Sequence, residues 1–196
     1  MQIGVLDIQG SVEEHLAMLG KIGASAVAVK TKKDLDEVDG LIIPGGESTT
    51  IGKLMKKYRL DEEIKKRGDT LTIWGSCAGA ILLAKKIRNR KPDALGLMDI
   101  EIARNAYGRQ IDSFETKLSV PSLRKQKIPA IFIRAPRVKK ASPKVKVLAE
   151  YRGEPVMLQQ ENLLATMFHP ELTNDPTIHR YFLELVATYA KSKNGY

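Results

Sequence analysis

The chain has 196 residues, 43% of them hydrophobic and 28% charged, a balance that suits one globular domain with its own core and excludes a low-complexity or disordered chain. Its single cysteine excludes an internal disulfide framework and a multi-cysteine metal site, and fits a reducing compartment. The formal net charge of +9 raises nucleic acid as a partner, but the basic residues are dispersed and no aromatic residues interleave with them as a stacking platform requires, so they read as solvated surface, some of it facing a protein partner.

Ile3-Gly4-Val5-Leu6 is apolar from the start, without a basic n-region or signal h-region before it, and no apolar run approaches a membrane span. The expectation is a cytoplasmic protein with no membrane association. Residues 2–8 read as a buried strand. Ser11-Val12-Glu13-Glu14 has capping-box spacing and predicts a helix to about Ile22. Within it, His15 reads as a polar-face or otherwise satisfied histidine.

Ala26–Lys30 is a second strand and Lys33–Glu37 a short polar helix. Gly40-Leu41-Ile42-Ile43 is a third strand, running into Pro44-Gly45-Gly46-Glu47-Ser48-Thr49-Thr50 and a helix over Ile51–Tyr58. Two glycines at the carboxyl end of a strand before a Ser/Thr cap expose backbone N–H groups. A plain turn with a helix cap has the same signature, and a phosphate loop is a poor match because no Gly-Lys-Ser/Thr follows. Residues 61–67 form a charged helix.

A strand ending at Trp74 then meets a helix running to about residue 86. At the join stands Gly75-Ser76-Cys77-Ala78-Gly79, the nucleophile-elbow pattern with cysteine in the serine's place. A nucleophile on so sharp a turn has a strained backbone and close-packed neighbours, which is why glycines flank it. The turn also sets Cys77 at a helix start, where N–H groups favour a thiolate and the N–H of Ala78 faces a developing oxyanion. A buried cysteine among small residues is the competing reading.

To this point strands and helices alternate, which predicts an α/β fold: a central, mostly parallel sheet with helices on both faces. Ligands of such sheets bind at the carboxyl ends of the strands, where both the Gly45-Gly46 loop and Cys77 fall. After Arg90 the segments 97–103, 109–118, 130–134, 145–151, 155–160 and 163–168 read as antiparallel strands extending or flanking the sheet, with Arg137 to Lys146 as basic surface. Arg104 opens a polar turn and Arg134 ends an apolar strand. Each is a surface arginine or a carboxylate clamp. The strand at Leu163–Phe168 delivers His169-Pro170-Glu171-Leu172, and a helix over Pro176–Ala190, with Asn174 or Asp175 near its start, closes a single domain over 1–196. His179 in that helix reads as structural or exposed.

A cysteine nucleophile needs a base that later protonates the leaving amine. His15 and His179 lie in helices, whereas His169 follows a strand at the sheet edge where the elbow belongs. Two residues on, Glu171 can orient the imidazole and stabilise its charged form.

Gly75-Ser76-Cys77-Ala78-Gly79 with His169-Pro170-Glu171 resembles the class I (triad) glutamine amidotransferases. Gln9-Gly10, Pro44-Gly45-Gly46-Glu47-Ser48-Thr49-Thr50, Arg104-Asn105-Ala106-Tyr107-Gly108-Arg109-Gln110, Ser113-Phe114-Glu115, Phe132-Ile133-Arg134-Ala135-Pro136 and His169-Pro170-Glu171-Leu172 narrow the resemblance to the family of glutaminase subunits of pyridoxal 5′-phosphate synthases, across essentially the whole chain. The resemblance implies a flavodoxin-like three-layer sandwich and hydrolysis of L-glutamine to L-glutamate and ammonia. Cys77, His169 and Glu171 would be the triad, with backbone N–H groups of Ala78, Gly45 and Gly46 as oxyanion hole. Gly46, Glu47, Ser48, Arg104, Ile133 and Arg134 would hold glutamine, Arg104 or Arg134 meeting its α-carboxylate. It implies no metal and no cofactor, and a partner: the (β/α)8-barrel synthase subunit, which takes up the ammonia in a hetero-oligomeric complex and whose docking raises a weak activity. A glutaminase feeding another synthase, a cysteine hydrolase acting on something other than glutamine, and a non-catalytic binding module are the competing functions.

Overall fold

The computed structural model describes residues 1–88, 94–104, 113–123 and 127–193. Among the described residues, seven strands form the main sheet in the order β10-β11-β12-β4-β3-β1-β2. The strands β1 (Gln2–Leu6), β2 (Ser25–Val29), β3 (Gly40–Ile43), β4 (Thr72–Ser76) and β12 (Leu163–Thr166) pair in parallel with their neighbours. Beyond β12, β11 (Glu154–Gln160) and β10 (Lys146–Tyr151) add antiparallel strands, as the pattern after Arg90 predicts. The central strands β3, β4 and β12 are buried along their whole length, so they read as continuous apolar runs rather than alternations.

Helices cover both faces. Trp74, which packs 5.7 Å from Phe182 between ring centroids, points from β4 toward α1 (Val12–Lys21) and α6 (Thr177–Lys193). Both helices bury one stripe: Val12, His15, Met18 and Leu19 in α1, and Ile178, His179, Phe182, Leu185 and Val186 in α6. Gly75, one residue on and facing the other way, meets α5 (Ala78–Leu83), on which α3 (Ser48–Lys57) packs. The charged helix of the sequence reading is α4 (Leu60–Lys66), and α2 (Lys32–Asp36) is fixed by a capping box between Thr31 and Asp34. No helix among the described residues is long and apolar enough to cross a membrane.

Three expectations are corrected. First, Ser11 precedes α1 but makes no side-chain cap, because its hydroxyl is drawn to Glu171 instead. Second, the elbow helix does not run to residue 86. It ends at Leu83, and β5 (Ala84–Ile87) pairs in parallel with β6 (Met98–Ala103), with Lys85 2.8 Å from Asp99 and Lys86 3.5 Å from Glu101. Third, the basic stretch after Ala135 contains a strand, β9 (Arg137–Ala141), antiparallel to β6, with Val138 buried and Arg137 paired to Glu154. Charge at three of its five positions, Arg137, Lys139 and Lys140, concealed it. The last two strands, β7 (Ser113–Ser119) and β8 (Lys127–Ile133), form a ribbon whose Phe114 and Phe132 stack at 4.6 Å. Residues 109–112 of the 109–118 segment lie outside the described residues.

Candidate active site

Three neighbouring strands end at one place: β3 leads to Gly45, β4 to Cys77 and β12 to His169. The registers Ile43↔Gly75 and Thr166↔Ser76 hold these ends level.

The elbow is as sharp as its glycines require. Cys77 has φ 47° and ψ −96°, a conformation that costs an L-residue on the order of 1–3 kcal/mol and persists only where the surroundings impose it. A Cβ at Gly75 would stand 2.4 Å from the Gly79 carbonyl carbon, and one at Gly79 would stand 2.0 Å from the Ile43 carbonyl oxygen. Substitution of Gly75 would push α5 away from β4, and substitution of Gly79 would push it away from β3. As the first residue of α5, Ala78 has an N–H without an intrahelical acceptor. The Cys77 Sγ is 3.9 Å from the carbonyl oxygen of Ile133.

His169, fixed by its N–H to the Ile131 carbonyl at 2.8 Å, sets Nδ1 2.7 Å from Oε1 of Glu171 and hydrogen-bonds Cys77. With Nδ1 on the carboxylate, Nε2 is the nitrogen left for the sulfur. Burial opposes charge on this ring, but hydrogen bonds and charge from Cys77 and Glu171 outweigh it and raise the pKa to about 10. The elements thus form a sulfur, an imidazolium and a carboxylate in series, the arrangement of a nucleophile with its base and orienting group.

Glu171 is buried, and burial alone would hinder its ionisation. His15, His169 and Ser11 reverse this and hold its pKa near 2. Its Oε1 accepts from Ser11 Oγ at 2.7 Å and its Oε2 from Ser76 Oγ at 3.2 Å. His15 Nε2 lies 3.6 Å from Oε2. Burial lowers the pKa of His15, against the pull of this carboxylate.

The Gly45-Gly46 loop lies against the imidazole: a Cβ at Gly45 would stand 2.4 Å from His169 Cε1. The Gly45 carbonyl accepts from the Ser11 N–H at 3.0 Å, and Gln9 Oε1 accepts from the Glu47 N–H at 2.8 Å, which ties the loop to the end of β1. Glu47 rather than a Ser or Thr caps α3. Burial works against its charge, but bonds from Thr50 and Thr49 hold its pKa near 2. Its carboxylate holds Arg104 at 2.9 Å, and Arg104 also donates to Thr49 Oγ1 at 2.9 Å. Ser48 is buried beside them. Ile133 ends β8, and Arg134 follows it, exposed and with φ 44°. Gly45 and Glu171 therefore lie against His169, and the Ile133 carbonyl lies by Cys77, while Glu47, Ser48 and Arg104 gather at the start of α3, directly after the glycine loop. The rest of the polar turn, Asn105 to Gln110, lies outside the described residues.

Ser11, Ser76 and His15 face Glu171, with His179 behind His15, and none of the four stands out as a site residue in the sequence alone. The signal was present in part: Ser11 and His15 are four apart, on one helical face, and His15 and His179 fall on the apolar stripes of their helices.

A mostly parallel sheet carrying a cysteine elbow, with a histidine and a glutamate after the adjacent strand, has the layout of the class I glutamine amidotransferase fold. The chain belongs to the SNO glutamine amidotransferase family, whose model matches residues 5–188. It is 49% identical over 187 residues to the pyridoxal 5′-phosphate synthase subunit PdxT of Thermotoga neapolitana, covering 95% of this chain and 100% of that one. To the subunit of the same name from Caldanaerobacter subterraneus subsp. tengcongensis it is 51% identical over 187 residues, covering 94% and 99%. A solved structure described as a glutamine amidotransferase superposes with a TM-score of 0.91 at 45% identity, covering 94% of this chain and 98% of that one.

Proposed function

We propose that this chain is the glutaminase subunit of a pyridoxal 5′-phosphate synthase, in which Cys77 attacks the side-chain amide carbon of L-glutamine. The observation that carries this reading is the nested contact of Cys77, His169 and Glu171 at the ends of adjacent strands, in a chain that matches subunits of that name nearly end to end.

The thiolate sulfur adds to the amide carbon, and the carbonyl electron pair moves to oxygen. Backbone N–H groups of Ala78 and the Gly45-Gly46 loop receive that oxyanion. His169 gives its proton to the departing nitrogen as the C–N bond breaks, releasing ammonia and leaving a glutamyl thioester. The imidazole, now neutral, takes a proton from water as its oxygen attacks the thioester. Glutamate leaves, and the sulfur and imidazolium are restored. Glu171 keeps Nδ1 protonated and the ring aligned throughout. Gly46, Glu47, Ser48, Arg104, Ile133 and Arg134 form the glutamine pocket, with an arginine for the α-carboxylate.

Ammonia released to water is mostly protonated and no longer a nucleophile, so the product is useful only if handed over directly. The acceptor is a (β/α)8-barrel synthase subunit. Its docking acts at the Gly45-Gly46 peptide, completing the oxyanion hole.

The test is glutamate release from L-glutamine by the natural chain and by Cys77→Ala, with and without the barrel subunit. Release that needs Cys77 and rises with the partner supports the assignment. Absence of release in both conditions overturns it and favours a different cysteine hydrolase.

A further inference from the structure

The described residues contain two fully buried histidines that this mechanism does not use. His15 of α1 and His179 of α6 are both 0% exposed, and Nδ1 of the first lies 3.0 Å from Nε2 of the second. Trp74 of β4 presses on both rings, edge to face, with centroids 5.1 and 4.9 Å away. One atom on each ring, Nε2 of His15 and Nδ1 of His179, has no ordinary hydrogen-bond partner. That of His15 faces Oε2 of Glu171 at 3.6 Å.

One shared proton links the two rings, and it can run in either direction. If His15 carried its proton on Nδ1 and donated to His179, the Nε2 lone pair would face an ionised carboxylate inside the core. Turned the other way, His179 Nε2–H donates to His15 Nδ1, and His15 Nε2–H points its positive end at Oε2. Electrostatics in a low-dielectric site favours the second arrangement. Glu171 then faces four donors from three segments: Ser11 and His15 of α1 and its cap, Ser76 of β4, and His169 after β12. A carboxylate has about four lone-pair sites to satisfy.

We propose that His15, oriented by His179, is a positioning residue for the glutaminase reaction: its Nε2–H holds Oε2 of Glu171 so that Oε1 stays aimed at Nδ1 of His169. The inference rests on the triad reading above. It gives the buried pair a task that packing alone does not, since an apolar pair would fill the space beneath Trp74 without two buried ring nitrogens lacking partners. Charged or titratable groups facing the pair are Glu171 and His169 from the end of β12 and Glu14 from α1 itself.

The experiment uses the chain assembled with its barrel subunit and L-glutamine as probe. His15→Leu should lower kcat about 10- to 100-fold, the cost of a misaligned catalytic group, with KM for glutamine unchanged within about twofold. His15→Gln restores an N–H at similar reach and should recover most of that loss. Ring 15N shifts of the natural chain should show His15 neutral with its proton on Nε2, a readout that requires no variant. An unchanged kcat in His15→Leu, a His15→Gln as slow as His15→Leu, or a proton on Nδ1 of His15 would each overturn the proposal. Glu171→Gln separates the two levels: if it slows turnover and His15→Leu does not, only the positioning role fails. If Glu171→Gln itself is without effect, the triad assignment fails and takes the positioning role with it.

Discussion

Ser11 donates to Oε1 of Glu171 at 2.7 Å across 160 positions of sequence. The residue at the start of α1 thereby gives up the local bond its position predicts and holds a buried carboxylate instead. A helix cap of this kind is worth about 1 kcal/mol, whereas a hydrogen bond to a buried charge contributes about 1.5–3 kcal/mol, so the distant partner wins. The same residue's N–H holds the Gly45 carbonyl, which couples the glycine loop to the carboxylate through one serine.

Ser11→Ala is therefore expected to cost about 1.5–3 kcal/mol in urea unfolding and to lower kcat for glutamate release. A loss near 1 kcal/mol with kcat unchanged would return Ser11 to the role of an ordinary cap.

Gly45→Ala tests the contact between loop and imidazole. The added Cβ would lie 2.4 Å from Cε1 and 2.8 Å from Nδ1 of His169, so the ring must move or the loop must open. Turnover should fall about 100-fold, as for a catalytic group displaced by an ångström. Gly46→Ala would set a Cβ 2.6 Å from Gln9 Oε1 and 3.0 Å from the Gly10 Cα. It should depress partner-stimulated turnover, and an unchanged stimulated rate would remove this peptide from the oxyanion hole.

The raised pKa of His169 has a kinetic signature. The ring protonates the leaving nitrogen only while it carries a proton, so the alkaline limb of kcat/KM should fall near pH 10. Because its folded value lies above 6.5, this group's contribution to stability is fully present below pH 6.5 and is lost as pH rises through about 10. Glu171→Gln removes one of the two groups sustaining the charge and should move the limb toward neutrality. A limb that stays in place would assign it to another group.

Acid acts on the other two histidines. Burial, with a smaller contribution from His15, lowers the His179 pKa to about 3, and burial lowers that of His15. Each binds its proton only after unfolding, so stability falls as pH drops below 6.5, by up to roughly 1.4 kcal/mol per pH unit for each ring. Glu171 adds to the loss below pH 4.5, its folded value being near 2. Urea unfolding of His179→Leu at pH 7 and pH 5 should show a smaller difference between the two pH values than the natural chain. An equal difference would mean that His179 is not held neutral.

What the sequence determined by itself was local. The parallel rhythm of β1 to β4, the elbow around Cys77 and the delivery of His169 by the last strand follow from side-chain periodicity and from glycines placed where a Cβ has no room. These constraints act between near neighbours, so they are legible in order along the chain. The end of α5 at Leu83 and the strand at Arg137–Ala141 were not legible, because both depend on pairing with β6, a partner that neither segment names. The surroundings of Glu171 were decided only in three dimensions. Ser11, His15, Ser76 and His179 come from three other elements, and a buried charge is satisfied by whichever donors packing brings to it, however far off in sequence they lie.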